Sequence, residues 1–509
     1  MHLPDFPVPV TVSSSPPSSA AVDVLVVPVF EDEAPPLART RPDGVAARLS
    51  AAAGTREFTG KIYSLFHTPV GSPAWSAAGM LLVGVGTRSA FALDRLRRAA
   101  TAAALDARQR KCRRVGFVIP GALPMRAEVQ ASVEGLVLAA FHAGSHKTDP
   151  LLQPTAFEQF VICAEDGSTL ADASAHEAAR RGAVLGHCSN LARALANEPG
   201  NVITPSTFAE FAAEKLTAAG LGVEVLDESQ LDRLNMHLLL GVARGSAAPP
   251  RLLVVRYEPA HPVSTAVLGL VGKGVTFDAG GISIKASDGM SKMKSDMSGG
   301  AAVVAAMLAI AELRPPVRVV GVVPLVENMP GGRALKPGDV VRSAEGKTIE
   351  VLDTDAEGRL ILADALWFAR QQGATHLVDI ATLTGAITVA LGRTTSGLFA
   401  TPDGWADLVG RTATLAGDRV WRLPLFEDYR DQLRSDIADF ANIGGRPAGA
   451  ITAAVLLKEF TGGLPWAHLD IAATAWAEEA QPYQLKGPTG VGVRTLATLP
   501  ESVEEWPGR

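Results

Sequence analysis

Cysteine is scarce in this 509-residue chain, and that scarcity excludes two kinds of site. Cys112, Cys163 and Cys188 are far apart in the sequence, and no two of them have CxxC spacing. An odd number of scattered cysteines predicts neither a disulfide framework nor a cysteine-ligated zinc site. Reduced thiols are typical of the cytoplasm, so we expect a cytoplasmic protein.

The chain also lacks the features of proteins that bind nucleic acids or membranes. Its net charge is −6, so it has no global excess of positive charge for a polyanionic partner. Residues 1–19 contain neither the basic region nor the apolar region of a signal peptide. We expect no apolar run long enough to span a bilayer. The basic stretch between residues 95 and 114 is more typical of a solvated helix face than of a nucleic-acid contact.

Lysine is rare as well, but it is not evenly spread. The chain has 12 lysines against 35 arginines, and four of the lysines lie within 22 residues: Lys273, Lys285, Lys292 and Lys294. Lysine, unlike arginine, can lose its proton and then offers a lone pair. The cluster therefore indicates that lysine itself is required here, although we interpret Lys292 and Lys294 as members of a solvated loop.

The apolar pattern predicts two α/β domains. The chain is too long for one core, and β-branched apolar runs alternate with Ala-rich helical stretches. We predict a smaller N-terminal α/β domain over residues 1–172, a linking helix over 173–196, and a larger C-terminal α/β domain over 197–509. The larger domain should contain a central, mostly parallel mixed sheet.

Polar residues follow several buried strands of the larger domain, where ligands bind in open α/β sheets. These residues are Lys273, Asp278, Lys285, Asp296, Asp355 and Glu357. Four carboxylates without cysteine or histidine suit hard or borderline divalent ions, and two such ions would balance their charge. A pair of ions can activate a water for hydrolysis. Taken alone, the stretch VLDTDAEGRL at 351–360 fits an acidic loop that begins a helix equally well.

Other catalytic motifs are absent from the sequence. It contains no GxSxG, no HExxH and no complete phosphate-binding or dinucleotide-binding glycine pattern. His376 and His468 stand alone beside apolar strands, which is more typical of core packing than of metal ligation.

Several segments resemble signatures of the leucine (cytosol) aminopeptidase family of two-metal exopeptidases. They are VGKGVTFDAGGISIK, MKSDMSGGAA, ENMPGGRALKPGDVV, DTDAEGRL, DIATLTGA, WRLPL, SDIADFANIGG, AGAITAAVLLKEF and WAHLDIA, which occur in this order between about residues 190 and 495. The resemblance implies a metal-dependent aminopeptidase that removes N-terminal residues, with apolar preference, from peptides. It also implies a homohexamer.

The resemblance assigns a role to each candidate residue. Asp278 and Glu357 would bridge two zinc or manganese ions, Asp355 would complete one metal site, and Lys273 and Asp296 would complete the other. Lys285 would polarise the scissile carbonyl, and Arg359 would hold a bicarbonate ion that acts as general base. The remaining matches are substrate-contacting positions: Met293, Thr382, Leu383, Gly385, Ala472 and Ala475.

Asp353 departs from the family pattern, which usually has Asn at this position. A further carboxylate could tighten cation binding or raise the pKa of bound water, or it could hydrogen-bond its own loop, which we favour.

Two rival interpretations of the whole chain stay open. One is a homologue with catalysis weakened by Asp353. The other is a DNA-binding or regulatory protein on the same scaffold, for which the basic stretch between residues 95 and 114 is the only support.

Overall fold

The computed structural model describes Leu3, residues 8–33 and residues 43–508. The chain divides into two compact units, of which the first comprises Pro4–Asn190 with Glu478–Gly487, and the second comprises Met1–Leu3, Leu191–Ala477 and Pro488–Arg509. The sequence patterns do not indicate that residues 478–487 belong to the first unit. The domain limits at residues 172 and 197 stay a prediction.

The first unit is built around a six-stranded sheet in the order β1-β6-β5-β2-β4-β3. All neighbouring strands in it are parallel except β3 and β4. The bounds of its elements are β1 (Val10–Val12), β2 (Val24–Phe30), α1 (Asp43–Gly54), β3 (Leu65–Pro69), β4 (Gly79–Gly86), α2 (Leu93–Gln109), β5 (Arg114–Ile119), α3 (Met125–Leu138) and β6 (Gln159–Ala164). Helix α4 (Ala173–Asn197) begins in this unit, and its residues from Leu191 onward belong to the second.

The second unit continues through helices α5–α13 and strands β7–β20. The helices are α5 (Pro205–Ala218), α6 (Glu228–Arg233), α7 (His237–Ala243), α8 (Ser298–Leu313), α9 (Gly358–Gln371), α10 (Gly385–Leu391), α11 (Asp403–Ala416), α12 (Gly449–Lys458) and α13 (Val493–Thr498). The strands are β7 (Gly222–Leu226), β8 (Arg251–Tyr257), β9 (Val267–Gly272), β10 (Gly274–Asp278), β11 (Arg318–Asn328), β12 (Asp339–Arg342), β13 (Thr348–Val351), β14 (His376–Ala381), β15 (Ser396–Thr401), β16 (Val420–Arg422), β17 (Phe440–Ala441), β18 (Trp466–Asp470), β19 (Trp476–Ala477) and β20 (Gly487–Pro488).

A large mixed sheet forms the centre of the second unit. Its order is β16-β15-β18-β14-β9-β11-β8-β7, and β10 also pairs with β11. The central strands β18, β14, β9 and β11 are parallel to their neighbours in this group, whereas β8 and β15 run antiparallel to it. Strand β7 pairs antiparallel with β8. The predicted α/β fold with a mostly parallel mixed sheet is confirmed. Strands β14 and β18 are buried at every residue, as expected for strands covered on both faces.

Helix α8 packs against this sheet at very short range. A Cβ atom at Gly299 would lie 2.1 Å from the carbonyl oxygen of Ile380, so this position requires glycine. The segment Met290–Leu313 is long and apolar enough to cross a membrane by length and composition, contrary to our expectation for the sequence. However, 78% of its apolar window is buried inside the protein, which is the environment of a core helix.

The basic stretch at 95–114 is largely neutralised within the first unit. Arg97 is buried against Glu134, with 2.5 Å between Nε and Oε2. Arg110 pairs with Asp106 and Arg114 with Asp23. The expectation of a solvated helix face is therefore wrong for Arg97. These acidic partners also remove much of the charge that a nucleic-acid contact would use.

Candidate metal centre

The parallel strands bring the candidate ligands to one edge of the large sheet. Lys273 directly follows β9, Asp278 is the last residue of β10, and Asp296 precedes α8. Glu357 is the N-cap residue of α9. Because carboxyl ends of parallel strands meet at one edge, residues distant in sequence converge there, as the strand-end pattern predicts.

Two glycines shape the turn after β10. Gly280 and Gly281 have φ values of 89° and 68°, a region in which glycine is strongly favoured. A Cβ at Gly280 would lie 2.5 Å from the carbonyl oxygen of Ser283, and one at Gly281 would lie 2.8 Å from Oδ1 of Asn328. The turn therefore needs both glycines to pass beneath the cluster and bring Lys285 back towards Asp278.

Three carboxylates form the centre of the cluster. Asp278, Asp355 and Glu357 each offer an oxygen, and these atoms lie within 4.8 Å of one another. Asp278 and Glu357 are buried, and Asp355 is partly buried. Like charges this close in a poorly solvated place repel strongly, so the cluster requires positive charge.

Two lysines supply part of that charge. Lys273 Nζ lies 2.8 Å from Asp296 Oδ2 and 2.7 Å from Glu357 Oε1, and it donates to the carbonyl oxygen of Thr382 at 2.9 Å. Lys285 Nζ lies 2.7 Å from Asp278 Oδ2 and also pairs with Asp355. Each ammonium thus bridges two carboxylates.

The pKa shifts show that the two lysine ammonium groups do not fully neutralise the charge of the carboxylates. Burial raises the pKa of Asp296 to about 8, against the attraction of Lys273. Burial, and then the charge of Asp278, raises the pKa of Asp355 to about 6. Burial disfavours charge on Lys273, but Asp296 and Glu357 outweigh it and raise its pKa above the usual value. Both members of the Lys273–Asp296 pair therefore favour holding a proton, because one ammonium cannot offset several buried carboxylates.

This donor set fits divalent metal ions. Four carboxylates against two ammonium groups leave a charge of −2 when all are ionised. The donors are oxygens, with lysine amines that could bind after losing a proton, and this set suits hard or borderline dications. The acidic cluster is therefore better explained as a cation site than as a solvated helix cap.

Asn328 is a member of the site that the sequence analysis missed. It is the last residue of β11, and its Nδ2 donates to Asp278 Oδ1 at 2.9 Å and to the carbonyl oxygen of Thr354 at 3.0 Å. It therefore holds the β10 carboxylate against the loop that carries Asp355. The strand-end rule used for the other candidates could have identified it, because Asn328 is a polar residue at the end of a buried strand.

Asp353 hydrogen-bonds within its own loop. Its Oδ1 accepts from the backbone N–H of Asp355 at 2.9 Å. Its backbone is held by Asn442, which accepts from Asp353 N and donates to Asp353 O. Asp353 is not part of the group formed by Asp278, Asp355 and Glu357. This geometry agrees with the loop-bonding interpretation of the departure from the family pattern.

Arg359 lies buried in the first turn of α9. Its Nη1 donates to the carbonyl oxygen of Asn442 at 2.7 Å, and its Nε has no hydrogen-bond partner among the described residues. Burial lowers the pKa of Arg359 to about 10, against the attraction of Glu357. A buried guanidinium with an unused N–H is suited to receive an anion.

The candidate substrate-contacting residues lie on three segments. Met293 lies in a short 3₁₀ helix, Met290–Ser295, before Asp296. Thr382 follows β14, and its Oγ1 donates to Asp296 Oδ1 at 2.7 Å. Leu383 and Gly385 continue this loop into α10. Ala472 and Ala475 follow β18. The parallel pairing of β14 with β18 places the second and third segments beyond adjacent strand ends.

The two histidines singled out by sequence are both buried in the core, as expected. His376 bonds to Thr375 and to the carbonyl oxygen of Pro507. His468 lies with its Nδ1 2.5 Å from Asp379 Oδ1, and Trp466 donates to the other oxygen of Asp379. Neither histidine belongs to the described carboxylate cluster.

Comparisons with known proteins agree with this site. The model of the cytosol aminopeptidase family catalytic domain matches residues 190–497, and that of the N-terminal domain matches residues 26–150. A probable cytosol aminopeptidase of Solibacter usitatus is 47% identical, with 96% of this chain and 98% of the relative covered. A probable cytosol aminopeptidase of Koribacter versatilis is 41% identical, with 96% and 98% covered.

Solved structures give the same result. A mutant of tomato leucine aminopeptidase matches with a TM-score of 0.87 and 30% identity, covering 98% of this chain and 97% of the other. The bottromycin maturation enzyme BotP in complex with Mn matches with a TM-score of 0.83 and 35% identity, covering 95% and 100%. With both family domains matched and an acidic cluster suited to dications at the sheet edge, the chain belongs to the cytosol aminopeptidase family and is a metallo-aminopeptidase that hydrolyses peptides from their N-termini.

Proposed function

We propose that the cluster holds two divalent ions, manganese or zinc, in each chain. Asp278 and Glu357 would serve both ions, Asp355 would complete one site, and Lys273 and Asp296 would complete the other. The observation that carries the proposal is the convergence of four carboxylates on two lysines at one sheet edge. The two ammonium groups already mark two positions at which positive charge is favoured.

Bound dications supply Lewis acidity and lower the pKa of a water that attacks the peptide. Residues of the chain itself provide the metal ligands and the hydrogen-bond donor to the substrate. Lys273 must give up its proton to act as a ligand, which a nearby dication favours. Lys285 keeps its proton and donates to the oxygen of the scissile carbonyl as charge develops on it.

Arg359 would hold a bicarbonate ion that acts as general base. Its buried guanidinium has a free Nε–H among the described residues, and it lies two positions after Glu357 in the chain. An anion held there would accept the proton of the attacking water; in support, the charge of Glu357 acts on the Arg359 guanidinium.

The substrate's free α-amine would lie near Lys273 and Asp296, and its first side chain would contact the three segments described above. Met293, Ala472 and Ala475 would give that pocket an apolar lining, which favours apolar N-terminal residues. Thr382 bonds to Asp296 and so links the pocket to the ligand set.

We further propose that the enzyme is a cytoplasmic homohexamer. Its relatives are named cytosol aminopeptidases, and the sequence has few, scattered cysteines. Size-exclusion chromatography with light scattering measures the assembly directly. A stable monomer that retains full activity would contradict the hexamer.

The decisive experiment combines elemental analysis of the purified enzyme with hydrolysis of a leucyl chromogenic substrate. We expect about two equivalents of manganese or zinc per chain, loss of activity on chelation, and recovery when either ion is returned. A single equivalent at full activity would overturn the two-ion proposal, and full activity without metal would overturn the site itself.

A further inference from the structure

Asp470 is a fully buried carboxylate that the roles proposed above do not use. It is the last residue of β18 and pairs in register with Ala381, the last residue of β14. It therefore lies between the two loops that leave these parallel strands. One loop carries Thr382, Leu383 and Gly385, and the other carries Ala472 and Ala475.

Asp470 accepts hydrogen bonds from both loops. Its Oδ1 receives the backbone N–H of Leu383 at 3.2 Å and that of Ala472 at 3.2 Å. Its Oδ2 receives the hydroxyl of Thr384 at 2.6 Å. The same hydroxyl accepts from the backbone N–H of Ile387 at 3.2 Å and so caps α10. One carboxylate thus fixes a loop, the start of a helix and a second loop.

We propose that Asp470 is a positioning residue that sets the width of the substrate side-chain pocket. A buried carboxylate is costly unless its oxygens are hydrogen-bonded, and the donors here come from both walls of the pocket. The loops cannot move apart without leaving part of the charge unpaired. The pocket therefore keeps one width, and it discriminates between N-terminal side chains by size. The inference rests on the pocket assigned under the proposed function.

Thr384 provides a matched test that leaves the carboxylate in place. Thr384→Val keeps the side-chain shape but removes the hydroxyl, whereas Thr384→Ser keeps the hydroxyl. We expect Thr384→Val to lower the ratio of kcat/KM for a leucyl substrate to that for an alanyl substrate by roughly 10-fold or more, because loosened walls fit the larger side chain less well. Thr384→Ser should keep the ratio, and both variants should keep the metal content of the parent enzyme.

Asp470→Asn extends the test to both loops. Its amide oxygen can still receive the N–H groups of Leu383 and Ala472, so we expect the ratio to change less than in Asp470→Ala, which frees both walls. If the Asp470 variants do not fold, the Thr384 pair decides. Equal leucyl-to-alanyl ratios in Thr384→Val and the parent enzyme would overturn the inference.

Ala472→Val separates this inference from the pocket assignment. If Ala472 lines the pocket, the added methyl groups should reduce kcat/KM for leucyl more than for alanyl substrates. No change in Ala472→Val would overturn the pocket assignment and with it the inference. A changed ratio in Ala472→Val, with no change in Thr384→Val, would overturn the role of Asp470 alone.

Discussion

The two units of the chain each bury charged groups, but they balance them differently. In the first unit, Arg97 meets Glu134, and the buried carboxylate of Glu128 accepts three backbone N–H groups. In the second unit, four carboxylates share two ammonium groups, Lys273 and Lys285. In the first unit, groups of the protein itself pair with each of these buried charges. In the second unit, the two ammonium groups leave part of the negative charge of the carboxylates without a counter-charge.

The comparison shows why buried charge alone does not mark a functional site. A matched pair such as Arg97–Glu134 contributes to the fold of its own unit, and removing one partner leaves an uncompensated charge. An unmatched cluster is instead a site for a cation from outside the chain. The electrostatic sign of that difference is repulsion between carboxylates: burial raises the pKa of Asp296 and Asp355, and the charges of Asp278 and Glu357 add to that increase. In the first unit, burial alone raises the pKa of Glu128.

The largest effects are expected when one buried glutamate in each unit is changed to glutamine. Glu357→Gln should lower metal content and reduce kcat/KM by at least about 10³-fold, because the carboxylate that we propose is shared by the two ions is lost. Glu134→Gln should keep metal content and kcat but lower the free energy of unfolding by about 3–5 kcal/mol. Elemental analysis, kinetics and urea denaturation measure all three quantities. Metal loss in Glu134→Gln, or normal metal content in Glu357→Gln, would contradict the comparison.

The two lysines should differ from each other when each is changed to alanine. Lys285→Ala should reduce kcat by about 10²–10³-fold with normal metal content, since a stabiliser of the developing oxyanion is lost. Lys273→Ala should weaken one metal site and regain activity in part at high metal concentration. Metal titration and steady-state kinetics on both variants check this. Metal loss in Lys285→Ala, with both ions retained in Lys273→Ala, would reverse the assignment.

Metal-free enzyme should become less stable as the pH rises from about 4 to about 8. Asp355 and Asp296 have pKa values of about 6 and about 8 in the folded chain, above the usual value of 3.8. In this window the folded state holds more protons than the unfolded state, so the free energy of unfolding falls by up to about 1.4 kcal/mol per pH unit for each such proton.

Thermal unfolding of chelated and metal-loaded enzyme across this range tests the expectation. Bound metal should remove the loss of stability, because dications favour ionised carboxylates. A metal-free melting temperature that rises between pH 5 and pH 8 would show that the cluster is better compensated than its geometry indicates.

Asp353→Asn should have the smallest effect. The amide oxygen of Asn can accept from Asp355 N as Asp353 Oδ1 does now, so the loop bond survives. We expect unchanged metal content and a change in activity or stability of no more than about 0.5 kcal/mol. Loss of one metal equivalent would show that Asp353 is a ligand, in contrast to its present hydrogen bond.

The sequence alone predicted the site residues that stand at a strand end or helix start and are of a residue type unusual for that place. Lys273 directly precedes the short strand β10 and Asp278 ends it, in a stretch that also contains Gly272, Gly280 and Gly281. Asp355 and Glu357 stand before a helix, so a rule about strand ends and helix starts finds all four without coordinates. The central strands were likewise predictable, because β11 has a long apolar and β-branched stretch from Val319 to Val326 and β14 is apolar except for His376 and Asp379.

Asn328 and Asp470 obey the same rule but were missed, because nothing in the sequence around either residue distinguishes it from the other polar residues of its mainly apolar strand. Their importance depends on which loops lie beside them, and that depends on strand order. The order β18-β14-β9-β11 arises from long-range pairing, which no local pattern encodes. The burial of Arg97 was missed for the same reason, since its partner Glu134 lies on another helix.

The ammonium groups of Lys273 and Lys285 also affect the order of events when the enzyme is made. Because they act as internal counter-ions, the newly synthesised chain can complete this unit before any metal arrives. The metal is then chosen by a finished site of fixed shape rather than by a flexible chain that would take whichever ion binds most tightly. The ion that the mature enzyme carries therefore depends on the shape of that site as well as on the supply in the compartment where folding ends.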